Sequence, residues 1–169
     1  MRKFIFIIFI VIFSLFLLKF YKYKNIIYIK ENYKKDNLNY NILTIDKINL
    51  KEIVKEDTIK SKNISEVVLF KEFGRPNKKY SNTIIGAHSG TGRKAKFKDL
   101  NKLSLNDKIE FYYANETYKY MVIEKFFIHE KDFTILNDIR NKTTLTLITC
   151  NDSDDKYRLV VVLELIDFI

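Results

Sequence analysis

The chain has 169 residues, room for one domain of ordinary size plus an extension but not for two full domains. Hydrophobic residues make up 47% of it and include 14 Phe and 11 Tyr, so a sizeable, aromatic core is expected, while a single cysteine, Cys150, excludes an internal disulfide and a Cys-rich zinc site. The net charge of +9 is spread along the chain without the dense basic block of a nucleic-acid site, which reads as a solvated basic surface with some attraction to an anionic envelope and no nucleic-acid partner.

At the amino end, Arg2 and Lys3 precede an apolar run over residues 4–18, broken only by Ser14, followed by Lys19, Phe20 and Tyr21. At about 1.5 Å per residue that run spans about 22 Å, and snorkelling of Arg2, Lys3 and Lys19 extends it toward a bilayer core. The sequence after Leu18 lacks a small-residue cleavage site. Residues 1–20 therefore read as an uncleaved signal-anchor, a single transmembrane helix. The polar, Lys- and Asn-rich residues 21–40 read as a stalk. Residues 41–169 are left as the folded domain.

The domain reads as mainly β. Residues 42–50 are β-branched and partly alternating, a first strand. Residues 61–69 carry a weak helical signal. Ile84-Ile85-Gly86 is a strand running into the glycine-rich turn Ala87-His88-Ser89-Gly90-Thr91-Gly92, which presents His88 at its tip. In residues 96–103, Phe97, Leu100 and Leu103 share one side of a small amphipathic helix. Residues 109–113 and 117–127 flank Ala114-Asn115-Glu116 as a hairpin, and Ile128-His129-Glu130-Lys131 reads as a loop with His129 on the surface. Residues 143–149 alternate almost cleanly and end on Cys150. Residues 157–166 contain the continuous apolar run 159–163 of a strand buried on both faces. Many strands and few helices suggest a closed barrel.

Three residues stand out as chemistry-bearing. Cys150 ends one strand, Arg158 opens the next across the polar connection 151–157, and a hairpin there sets them side by side. His88 ends a third strand. A thiol is only a few per cent ionised at neutral pH, and a neighbouring imidazolium or guanidinium stabilises the thiolate. Attack on an amide carbonyl creates an oxyanion that needs a donor, and the departing amine needs a proton. Cys, His and Arg supply nucleophile, acid/base and charge stabiliser for acyl transfer. Asp152, Asp154 and Asp155 form an acidic cluster with no calcium-loop spacing, so a solvated turn is expected and no cofactor is indicated, calcium remaining a possible ligand.

At these residues the sequence resembles the sortase family. Thr146-Leu147-Ile148-Thr149-Cys150 matches the family's TLxTC signature, Arg158 matches the arginine that follows it, and His88 falls at the family histidine. The resemblance covers roughly residues 42–166. It implies an eight-stranded sortase β-barrel on the outer face of the membrane of a Gram-positive-type bacterium. Cys150 would be nucleophile, His88 acid/base, Arg158 substrate or oxyanion stabiliser, and Thr149 a supporting residue. The implied partners are surface proteins bearing an LPxTG-like sorting signal and an accepting amine from peptidoglycan or a pilin lysine. Two positions depart from the family pattern: Ala87 stands where Gly usually precedes the histidine, and Asp46 where the opening strand usually carries Pro. The short stretch between Phe127 and Thr143, the lack of an Asp-Pro-aromatic lid in residues 21–40 and the lack of a second span after Ile166 favour a single-span class A or D type. The rival reading is a non-catalytic, membrane-tethered binding module that uses the same barrel to grip anionic wall polymers.

Overall fold

Strands of β-branched and aromatic residues with one apolar face must close on themselves or find a cover, and here they do both. The computed structural model describes residues 40–59, 66–137 and 141–169, together with Phe13 and Leu17. Apart from Phe13, Leu17 and Tyr40, the expected anchor and stalk lie outside the described residues, among which no helix is long and apolar enough to cross a membrane. The chain divides into two units, Met1–Asn39 and Tyr40–Ile169. Among its described residues the second has eight strands: β1 (Asn41–Ile45), β2 (Leu50–Asp57), β3 (Val67–Phe70), β4 (Asn82–Gly86), β5 (Lys108–Tyr113), β6 (Glu116–His129), β7 (Thr144–Cys150) and β8 (Tyr157–Phe168).

The strands form a closed barrel in the order β1-β2-β3-β4-β7-β8-β6-β5, the mainly β architecture expected from the sequence. β5 pairs with β1 to close it. All pairings are antiparallel except β2 with β3 and β4 with β7. The interior is filled from every side of the barrel, with Leu43, Leu69, Ile85, Phe111, Tyr120, Leu145, Leu147 and Val161 at its centre. Phe97, Leu100 and Leu103 join this cluster from the β4–β5 connection. Each fully buried side chain of this kind contributes roughly 1.5–3 kcal/mol of transfer free energy.

A second apolar layer lies outside the barrel. Val68, Phe70 and Ile84 form it, with Phe73, Leu136 and Ile148 packed against them. It explains why β3 and β4 are buried at every position, whereas most antiparallel strands alternate.

Several expected elements differ. The run 42–50 is two strands, because Asp46–Ile48 forms a 3₁₀ turn and Asn49 takes the left-handed conformation (φ 51°), reversing the chain into β2. Of the weak helical signal in residues 61–69, residues 61–65 lie outside the described residues, and Val67, Val68 and Leu69 belong to strand β3, since pairing with β2 and β4 outweighs a weak local preference. The helix expected over residues 96–103 is a series of turns with a single 3₁₀ segment, Leu100–Lys102. Its three apolar residues are nonetheless all buried. His129 is not in a loop: it is the last residue of β6 and pairs with Tyr157.

The expected hairpin is β5–β6, but its turn is only Ala114-Asn115, both with positive φ (51° and 70°), and Glu116 already pairs with Tyr113. This is the two-residue turn whose twist suits a hairpin, and alanine is poorly suited to its first position. Ala114→Gly is therefore expected to stabilise the domain by about 0.5–1 kcal/mol, net of the entropy glycine loses on folding. A rise in the midpoint of chemical denaturation would show it.

Candidate active site

Parallel pairing of β4 with β7 sets Gly86 opposite Ile148. The chain beyond Gly86 therefore continues beside Thr149 and Cys150. Two hydrogen bonds hold it there. The Ala87 amide donates to the Ile148 carbonyl (3.3 Å), and the buried Thr149 hydroxyl donates to the Ala87 carbonyl (2.7 Å). The next residue is His88, whose carbonyl accepts from the Phe97 amide (2.9 Å). His88 is thus tied through its backbone on both sides while its side chain is exposed.

Antiparallel pairing of β7 with β8 places Cys150 directly opposite Arg158. The thiol is free and half-buried at the strand end. Cys150, His88 and Arg158 all line one cavity of about 380 Å³. Its other walls are largely apolar: Phe70 and Ile148 from the strands, Phe133, Ile135 and Leu136 from the β6–β7 connection. A smaller pocket of about 80 Å³ is also lined by Cys150, together with polar groups including Ser89, Lys98, Asn101 and Asp152. Cys150 therefore borders one largely apolar cavity and one more polar pocket.

Thr149 thus has a definite contact, the carbonyl that leads into His88. Thr149→Val would keep the shape but leave that carbonyl without its donor, at about 1–3 kcal/mol. The expected result is a lowered melting temperature together with roughly tenfold slower turnover, since His88 would lose a tether.

Arg158 is engaged on its outer side. Nη1 donates to the carbonyls of Asp155 and Tyr157 (3.0 Å for the latter), and Nη2 donates to the Glu130 carboxylate (3.0 Å). Glu130 is held by its own amide, which donates to the Lys156 carbonyl (2.7 Å). Sequence reading passed over Glu130. Its nearness to Arg158 follows from the β6–β8 register, where His129 meets Tyr157, and the sequence carries no local mark of that register. Gly86, expected only as the end of the strand that leads into the turn, has a packing role as well. A Cβ there would lie 2.8 Å from the ring of Phe70, so the cavity floor needs a glycine at that position.

Other candidates stay outside this group. His129 stacks edge-on against Tyr157 (5.7 Å between ring centroids), and its Nδ1 accepts from the Lys131 amide (3.2 Å). Asp154 accepts from the Lys156 amide (3.0 Å), and the Asp155 carbonyl serves Arg158. Among the described residues, no group of acidic, His or Cys side chains could hold a metal ion. Asp132, on the cavity wall, keeps its carboxyl below the usual range because the Thr134 hydroxyl and amide both donate to it.

A thiol at the end of one strand, a guanidinium on its cross-strand partner and an imidazole delivered by the neighbouring parallel strand supply the groups that acyl transfer needs. Comparisons with known proteins bear on the family and the fold. A family model described as the sortase domain matches residues 43–166. Solved structures superpose on the chain. They include sortase C1 from Streptococcus agalactiae (26% identity, TM-score 0.68, covering 78% of this chain and 68% of that one). Another is a pilus-related sortase C of Group B Streptococcus (25%, 0.70, 78% and 69%). A lid mutant of sortase A from Corynebacterium diphtheriae is similar in fold (21%, 0.69, 80% and 75%). No curated protein matches the chain.

Proposed function

Because the chain belongs to the sortase family, we propose that it is a cysteine transpeptidase in which Cys150 is the nucleophile, His88 the acid/base and Arg158 the group that stabilises substrate or oxyanion. The observation that carries this reading is the convergence of the three on one cavity through two strand registers, Cys150 opposite Arg158 and Gly86 opposite Ile148. The Cys150 thiolate attacks the backbone carbonyl carbon of a sorting signal, LPxTG-like by analogy. A C–S bond forms, the C–N bond breaks, and His88 gives the leaving amine its proton. An incoming amine then attacks the thioester, the C–S bond breaks, the thiolate is restored, and the amine's proton passes to His88. Arg158, fixed by Glu130 and two carbonyls, offers its remaining N–H groups to the carbonyl oxygen.

The substrates on this reading are surface proteins with a sorting signal, transferred to an amine of the cell wall or a pilin lysine. The apolar run over residues 4–18, flanked by Arg2, Lys3 and Lys19, supports tethering by a single span with the barrel outside the membrane. The short segment between Phe127 and Thr143 supports a class A or D type. The test is to incubate the full chain, in detergent micelles, with a library of sorting peptides and a panel of amines, and to look for peptide–amine conjugates by mass spectrometry. Binding of wall polymers without any conjugate or hydrolysis product would replace this reading with that of a binding module.

A further inference from the structure

Asn82, the first residue of β4, is fully buried and both ends of its amide are engaged. Nδ2 donates to the carbonyls of Ile135 (3.0 Å) and Asn137 (3.2 Å). Oδ1 accepts from the hydroxyls of Thr144 (3.1 Å) and Thr146 (2.8 Å) on β7. One side chain thereby joins two adjacent strands of the barrel to the backbone of the β6–β7 connection.

That connection is a wall of the cavity, through Phe133, Ile135 and Leu136. Its helical structure among the described residues is one 3₁₀ turn, Thr134–Leu136, too short to hold its place alone. Phe133 is 62% exposed, and Leu136 packs on the outer apolar layer. Apolar packing resists separation but does not fix register. Directional bonds to two carbonyls two residues apart do. Only an amide can donate to the two carbonyls and accept from the two hydroxyls at once. A carboxylate would face the carbonyls with lone pairs, and an alkyl group would leave buried polar atoms unpaired.

We propose that Asn82 is a positioning residue that clasps the wall segment 134–137 to the barrel and so sets the width of the cavity that receives the peptide. Asn82 pairs with Thr144, six residues before Cys150, about 20 Å along the strand. It acts on substrate binding and not on the reacting atoms. The kinetic part rests on the transpeptidase reading. The structural part does not.

The full chain in detergent is compared with Asn82→Asp, which keeps the acceptor and loses both donors. Amide exchange at Leu136 and Asn137 should accelerate about tenfold or more, while strand amides of β4 and β7 change little. KM for a sorting peptide should rise about tenfold, with kcat and the rate of Cys150 alkylation by iodoacetamide within about threefold. Unchanged exchange at the wall, or a fall in kcat at constant KM, overturns the proposal. If Asn82→Asp does not fold, the triple variant Asn82→Leu, Thr144→Val, Thr146→Val removes the hydroxyls as well and carries the same measurements. The wild-type chain gives a decisive reading by itself. The Leu136 and Asn137 amides should exchange as slowly as those of a paired strand, and exchange at loop rates would refute the clasp. If the wild type turns over no peptide, the transpeptidase reading fails while the exchange data still decide the clasp.

Discussion

Replacing Cys150 by alanine is expected to abolish both steps of transfer and all covalent labelling by a thiol-directed sorting-peptide analogue. No other side chain can take over the thioester, because Cys150 is the only cysteine in the chain. The thiol is half-buried at the end of β7, and its backbone is paired with β8, so removing the sulfur atom should leave the barrel folded. A stability change within about 1 kcal/mol is expected, against the complete loss of conjugate formation. The two readouts separate the effects: thermal unfolding reports the fold, and mass spectrometry of the acyl-enzyme reports the chemistry. Conjugates formed at an undiminished rate by Cys150→Ala would remove the nucleophile from the proposed mechanism and leave the barrel as a binding scaffold.

His88→Ala is the second large effect. Positioned acid/base groups typically contribute about 10²–10⁴ in rate, so conjugate formation should fall by that factor. The side chain of His88 is exposed and its backbone is held by Phe97 and by the Ala87 tethers, so stability should change by no more than about 0.5 kcal/mol. His129→Ala is the internal control. His129 lies on the edge of Tyr157 and bonds Lys131, so its removal should leave the rate near that of the wild type. A reversed outcome, with His129 essential and His88 dispensable, would reassign the acid/base.

The strands with the strongest local pattern were legible in the sequence. Residues 143–149 and 157–166 correspond to β7 and β8, and residues 109–113 and 117–127 to β5 and β6. Alternation and apolar continuity there arise from a single physical cause, burial of one or both faces of a strand. β2 and β3 were not legible. β2, with the sequence Leu50-Lys51-Glu52-Ile53-Val54-Lys55-Glu56-Asp57, is largely charged and exists through its pairing with β1 and β3. The short β3 has no alternation because the outer layer of Phe73, Leu136 and Ile148 covers the face that would otherwise be polar.

Cys150, Arg158 and His88 could be picked out from the chain alone because their chemistry and their places at strand ends are local properties. The hairpin from Cys150 to Arg158 was also legible, since the polar connection of residues 151–157 leaves little choice of geometry. Tertiary structure decided the rest. It set β4 beside β7 in parallel, across a long separation in sequence, and so brought His88 to the cavity that Cys150 lines. It set the β6–β8 register that gives Arg158 its partner Glu130. It buried Asn82 where its amide meets two carbonyls and two hydroxyls from distant segments. Periodicity and residue type report what one segment needs to bury or expose. Which distant segment meets that need is fixed only when the strands find their register and the barrel closes.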